Sequence, residues 1–237
     1  MQNLPIAVVT GAGGGVGQET VRVLATDHQV IALARATDSL SALAAIPNVA
    51  AVHLDLLDPS EIAAVGATLV AGHPKIKVLA HTAGLTSPAT LSGADAEVWR
   101  QVMGTNAIGP ALLTRALLPA LRAAGADVVF INSGAGKRAL ARNITYNSAK
   151  HALTGFTNSL RLAEPGLRVV SIFPGQIDTQ MLRSSYAALQ LKYDPSAYIR
   201  PASVAAAIRW VVDSGADVQI TNIDLRPRRE TAAAFNV

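Results

Sequence analysis

The chain has 237 residues, half of them hydrophobic and only 15% charged, a balance that excludes a disordered protein and leaves room for one large α/β domain or two small ones. Its net charge of +4 suits a small anionic ligand, but Lys and Arg form no long run with interleaved aromatics, which argues against a nucleic-acid partner. There is no cysteine, hence no disulfide, thiolate metal site or thiol nucleophile, and His28, His53, His73, His81 and His151 show no ligand spacing, so no metal is expected.

The N-terminus, Met1-Gln2-Asn3-Leu4-Pro5, carries no basic region or cleavage site, and no apolar run approaches the ~20 residues that cross a bilayer. Cytoplasmic residence without membrane contact is the expectation. The first apolar run, Ile6–Thr10, leads directly into Thr10-Gly11-Ala12-Gly13-Gly14-Gly15-Val16-Gly17 and then the helix-forming Gln18-Glu19-Thr20-Val21-Arg22-Val23-Leu24. Glycine tolerates positive φ and lets a backbone approach a pyrophosphate, and the first turn of a helix offers free N–H groups at the positive end of its dipole. Phosphate binding is the natural use. Gly11, Gly15 and Gly17 give G-x-x-x-G-x-G; G-x-G-x-x-G would need glycine at Val16, and a Walker loop would need G-K-[ST].

The second run, Gln29–Ala34, ends at Arg35, where an NAD-binding strand would place an acid for the ribose hydroxyls. A guanidinium matches a 2′-phosphate instead, so NADP is favoured over NAD, although Asp38 is close by and the glycine turn contributes no second basic residue. Further apolar runs at 50–54, 78–82, 127–133, 168–173 and 218–224 bring the expected strands to seven. Runs without polar alternation suit strands covered on both faces. The expected fold is therefore α/β, a Rossmann-type doubly wound seven-stranded parallel sheet with helices on both faces. No linker or repeat divides the chain, so residues 1–237 are read as one dinucleotide-binding catalytic domain. The stretch 180–200 interrupts the alternation with Met181, Leu182, Tyr186, Leu189, Leu191, Tyr193 and Tyr198, and is read as a substrate lid.

Three places carry chemistry. A helical pattern over 94–124 contains Asn106 four residues before Pro110, which has no N–H to give the Asn106 carbonyl; a carbonyl freed in this way can hold a water. The fifth run delivers Asn132-Ser133-Gly134 at its carboxyl end, the edge where such sheets build sites, and Ser133 is placed to polarise a carbonyl. Tyr146 and Lys150 in Tyr-Asn-Ser-Ala-Lys share one face of a helix running to about Leu162, where an ammonium would bring the phenol, near ~10 unperturbed, toward the working range.

Together these motifs resemble the short-chain dehydrogenase/reductase family from Ile6 to about Thr179. The resemblance implies that Thr10, Gly11, Gly15 and Gly17 bind the cofactor, and that Asp55, followed by Leu56, contacts the adenine. The family's N-N-A-G motif corresponds to His81-Thr82-Ala83-Gly84, so Ala83 and Gly84 carry over to the cofactor while both asparagines are replaced. Asn106, Ser133, Tyr146 and Lys150 match the catalytic tetrad, and Pro174, Gly175, Ile177 and Thr179 match the segment that holds the nicotinamide carboxamide. Near the C-terminus Ile223-Asp224-Leu225-Arg226-Pro227-Arg228 departs from the family's V-D-G-G, and Arg226, Arg228 and Arg229 read as a solvated tail. Relatives pair through the helices corresponding to 94–124 and 146–162, which implies a homodimer or homotetramer.

The implied function is reduction of a carbonyl with NADPH, or the reverse oxidation of an alcohol, with Tyr146 as the general acid and base. An NAD-linked alcohol dehydrogenase and a non-catalytic dinucleotide sensor are the alternatives. The lid composition suggests an apolar or aromatic ketone, whereas Lys137, Arg138 and Arg142 suggest an acidic substrate.

Overall fold

The apolar runs become seven strands: β1 (Ile6–Thr10), β2 (Gln29–Ala34), β3 (Val49–His53), β4 (Val78–His81), β5 (Asp127–Ile131), β6 (Arg168–Pro174) and β7 (Asn222–Leu225). All neighbours pair in parallel, in the order β3-β2-β1-β4-β5-β6-β7. This computed structural model describes residues 4–87, 89–139 and 143–228, without the side chains of Thr37 and Asp38; Arg142, Arg229 and the Asp38 carboxylate therefore lie outside the described residues.

Helices α1 (Gly15–Leu24), α2 (Thr37–Ala44), α3 (Pro59–Gly72), α4 (Ala96–Met103), α5 (Gly109–Ala124), α6 (Ile144–Ala163), α7 (Gln180–Ala188) and α8 (Pro201–Asp213) connect the strands. Successive strand residues face opposite layers, as a pleat requires. In β1, Val8 packs with Ile62 and Leu69 of α3, Leu113 and Leu117 of α5 and Leu153 of α6. Its neighbours Ala7 and Val9 pack with Val21 and Leu24 of α1 and Leu43 of α2. Val204 and Ile208 of α8 cover β5 and β6 on that second side. The sheet is thus buried on both faces, the reason its strands lack polar alternation. Among the described residues, no helix is long and apolar enough to cross a membrane.

Several expected boundaries move. β5 stops at Ile131 because Asn132 Oδ1 takes the Ser133 N–H at 2.9 Å and a tight turn, Gly134–Gly136, follows. β7 begins at Asn222 because the Val218 N–H bends back to the Gly215 carbonyl at 3.2 Å. β3 lies one step earlier than expected, β4 stops at His81 and β6 runs on to Pro174. The pattern over 94–124 is not one helix: α4 and α5 are joined by a π-type turn, Gly104–Ile108, in which the Gly109 N–H reaches the Gly104 carbonyl. Such wide turns are frequent at functional sites, and Asn106 lies inside this one.

The chain leaves β1 toward β2 on one side and reaches β4 on the other, so a crevice opens at their carboxyl ends, where open α/β sheets hold ligands.

Candidate active site

A cavity of about 980 Å³ occupies this crevice and runs along the carboxyl edge of the sheet, at the upper end of the ~300–1,000 Å³ usual for small-molecule sites. The glycine turn forms its floor. Gly11 adopts φ +62°, and a Cβ there would lie 2.5 Å from Ala83 Cα. A Cβ on Gly17 would overlap the Gly11 carbonyl, so the first turn of α1 packs onto the loop only as glycine. No side chain caps the N-terminus of α1, at Gly14, so its first N–H groups remain available to an anion beside Gly13, Gly14, Gly15 and Val16, which line the cavity.

At the β2 end, the exposed Arg35 and the half-buried Ser39 of α2 both line the cavity. Ser39 escaped sequence reasoning. It lies against Gly13, where a Cβ would meet Ser39 Oγ at 2.7 Å. Asp55 and Leu56 line the same end, and the Asp55 carboxylate accepts the Leu57 N–H at 2.9 Å. After β4, Ala83 and Gly84 line the cavity as well. Threonines tie this segment to β1: Thr82 Oγ1 donates to the Thr10 carbonyl at 2.6 Å, and the Ala83 N–H points to Thr10 Oγ1 at 3.5 Å. His81 is buried, donates through Nε2 to Thr114 Oγ1 at 3.0 Å, and leaves Nδ1 without a partner among the described residues. The tautomer follows because Thr114 spends its own proton on the Pro110 carbonyl at 2.7 Å. Burial holds the His81 pKa down to about 3, so it is neutral.

Tyr146 and Lys150, one turn apart on α6, and Ser133 converge on the cavity wall beyond β5. The Ser133 hydroxyl hydrogen-bonds the Tyr146 phenol. Lys150 is 97% buried; its Nζ donates to the Ile131 carbonyl at 2.9 Å and lies 5.6 Å from the centre of the Tyr146 ring. Burial pushes the phenol pKa up, countered only by the Ser133 hydrogen bond, and pushes the lysine down to about 7. The expected lowering of Tyr146 by Lys150 is therefore absent in this arrangement. Desolvation acts on both groups, and the amine donates to the Ile131 carbonyl beside the Tyr146 ring.

Asn132 and Thr154 hold Ser133 in place, a role the sequence did not reveal. Asn132 Nδ2 donates to Thr154 Oγ1 at 2.9 Å, and Thr154 Oγ1 in turn contacts the Gly136 and Lys150 carbonyls, both at 3.0 Å. Asn106 sits behind the cavity instead of on its wall, 99% buried. Its side chain clasps Leu85, accepting from the backbone N–H at 3.2 Å and donating to the carbonyl at 2.7 Å, which fixes the loop after β4.

Pro174, Gly175, Ile177 and Thr179 continue the wall after β6, followed by Met181, Leu182 and Leu189 from the stretch 180–200. The tyrosines of that stretch do not line the cavity. Tyr186, Tyr193 and Tyr198 pack ring against ring, with centroids 5.0–5.6 Å apart, and Tyr193 donates to Asp178 at 2.6 Å. An aromatic substrate is thus not implied by them. Arg226 corrects the reading of a solvated tail, since Arg226 and Pro227 form the far wall, against Gly134 and Gly175.

The sequence profile of the short chain dehydrogenase family matches residues 5–190. Dehydrogenase/reductase SDR family member 11 of Homo sapiens is 27% identical over 95% of this chain and 95% of its own. A short-chain dehydrogenase of Escherichia coli CFT073, solved with NADPH, superposes with a TM-score of 0.85 at 27% identity over 93% of this chain and 95% of its own. A single-residue variant of the actinorhodin polyketide ketoreductase, also with NADPH, gives 0.85 at 26% identity, covering 96% and 97%.

Proposed function

The chain belongs to the short-chain dehydrogenase/reductase family, and we propose that it is an NADP(H)-dependent oxidoreductase interconverting a ketone or aldehyde with the corresponding alcohol. The carrying observation is the meeting of Ser133, Tyr146 and Lys150 on the wall of the cavity whose floor is the glycine turn. That floor fits a dinucleotide. The α1 N-terminus is uncapped, Gly11 and Gly17 admit no Cβ, and the cavity is large enough for an extended ligand. Arg35 and Ser39 at the β2 end, where a carboxylate would serve NAD, support NADP, as do the NADPH complexes of the two superposed structures.

Bound there, the cofactor supplies the hydride for reduction or accepts it for oxidation. Tyr146, a protonated phenol at neutral pH, donates its proton to the substrate oxygen as negative charge develops on it. Ser133 donates a hydrogen bond to the same oxygen and stabilises that charge. Lys150, with a pKa of about 7, exchanges protons near neutrality and replenishes Tyr146. Asn106 holds the loop after β4 in register with the site, and Pro110 denies its carbonyl an N–H partner, leaving it open to a water in the proton path.

The unit is read as one catalytic domain with 180–200 as its lid, since Met181, Leu182 and Leu189 roof the cavity. Exposed Ile108 and Leu162, at 52% and 84%, lie on the α4–α5 and α6 surfaces and support a homodimer or homotetramer. The test is a screen of ketones and aldehydes with NADPH, repeated with Tyr146→Phe. The variant should keep cofactor affinity and lose about 10²–10⁴-fold in kcat. Full activity in the variant contradicts the role given to Tyr146.

A further inference from the structure

The far wall of the cavity carries a charge that the tetrad and the cofactor floor do not use. Arg226 follows β7 and lies directly over Gly134, the residue after Ser133: a Cβ at position 134 would fall 2.9 Å from Arg226 Nη1. Pro227 closes on Gly175 in the same way, its Cδ 2.9 Å from where a Cβ would be, and the Gly175 N–H donates to the Leu225 carbonyl at 2.8 Å. Two positions without side chains thus let the end of β7 lean into the site.

Arg226 is not placed for the phosphates of a dinucleotide on the glycine turn. Arg35 follows β2, and β1, β4, β5 and β6 separate β2 from β7. At ~4.8 Å per strand the two guanidinium-bearing strand ends stand roughly 24 Å apart, whereas β7 is only about 10 Å from β5, which delivers Ser133. Arg226 therefore belongs to the reacting end.

Its electrostatic setting leaves positive charge over. Asp224 on β7 accepts from Lys137 Nζ at 2.5 Å through one oxygen and meets Arg226 Nη2 at only 3.4 Å through the other. Two cations share one carboxylate. Lys137 is further occupied by the Phe173 ring, 4.2 Å from its centroid, whereas the Arg226 side chain, 35% exposed, keeps donors directed at the cavity. A planar guanidinium fork with one unit of excess charge is complementary to a single carboxylate. Around it the wall mixes the apolar Ile177, Met181, Leu182 and Leu189 with the polar Arg138, Gln176, Gln180 and Ser185.

We propose that Arg226 selects substrates in which the reacting carbonyl or alcohol is joined through an apolar body to a carboxylate, so that the enzyme is a keto-acid or hydroxy-acid oxidoreductase. This rests on the oxidoreductase reading above.

Keto acids with the carboxylate one, two or three carbons from the carbonyl, each paired with its methyl ester, provide the test with NADPH. The parent enzyme favours the acid, and Arg226→Gln lowers the acid-to-ester ratio of kcat/KM by about 10- to 100-fold, through KM. Arg226→Lys gives an intermediate ratio. Lys75→Gln, an equal loss of charge at an exposed site before β4, leaves the ratio unchanged. A parent ratio at or below one, or the same ratio in parent and Arg226→Gln, overturns the proposal. Turnover of neither partner strikes the oxidoreductase reading instead. The anion site is then read from Tm shifts in the NADPH-loaded protein: a shift by 4-oxo-4-phenylbutyrate but not its methyl ester, lost in Arg226→Gln, supports it, and equal shifts overturn it.

Discussion

Lys150 Nζ stands 5.6 Å from the centre of the Tyr146 ring while its proton is shared with the Ile131 carbonyl at 2.9 Å. Lys150 is buried and Tyr146 half-buried on the cavity wall, and desolvation moves them in opposite senses, the phenol up and the amine down to about 7. At neutral pH the pair is a protonated acid beside a half-charged base.

A buried amine of this kind writes itself into stability. The unfolded chain keeps the lysine proton up to pH 10.5, the folded chain only to about 7, so unfolding takes up a proton across that window and stability rises with pH through it. Lys150→Met should therefore abolish turnover yet be more stable than the parent by a few kcal/mol below pH 7. Its advantage should shrink by about 1.4 kcal/mol per pH unit toward 10.5. Urea unfolding at pH 7 and pH 9 measures this; a constant difference contradicts it.

His81 acts on the acid side. Unfolded, it takes a proton below pH 6.5; folded, only near 3, so stability is lost as pH falls between these values. His81→Gln should flatten this loss by about 2 kcal/mol between pH 6.5 and 5. Parallel curves for the two proteins would show that His81 is not the acid-labile group.

Arg35 is expected to discriminate cofactors. Arg35→Ala should reduce kcat/KM for NADPH by about 10- to 100-fold and leave NADH unaffected, because only the former has a 2′-phosphate to lose. Equal losses with both would place the guanidinium elsewhere than on that group.

Two glycines give opposite outcomes on substitution. Gly17→Ala forces a Cβ into the Gly11 carbonyl and should cost several kcal/mol together with cofactor binding. Gly72→Ala, at the end of α3 with nothing within 4 Å, should stabilise by a few tenths of a kcal/mol. Thermal melts of both variants decide.

What the sequence made legible follows one rule. The strands were readable because Val8, Ile31, Val129 and Ile172 sit in uninterrupted apolar runs buried from both sides, and the glycine turn because its backbone needs are written in residue type. Tyr146 and Lys150 were readable because one helical turn joins them. What escaped depends on contacts between distant segments. Asn132, which takes the Ser133 N–H, is itself braced by the distant Thr154, Ser39 reaches the glycine turn only through α2, and Arg226 enters the cavity only because residues 134 and 175 lack side chains. Pro110 showed that the helical pattern around Asn106 is disturbed, but the wide turn itself was not legible because a π-type turn keeps helical composition while shifting the bonds.

β7 spans only Asn222–Leu225 and is bonded to β6 alone, whereas β1 and β4, which flank the crevice, are each paired on both sides. The half of the cleft that grips a dinucleotide is thus anchored in the middle of the fold, and the half that faces the reactant hangs from its margin. Mutations at that margin disturb few interior contacts, so a lineage can exchange one reactant for another there while its hydride machinery stays intact.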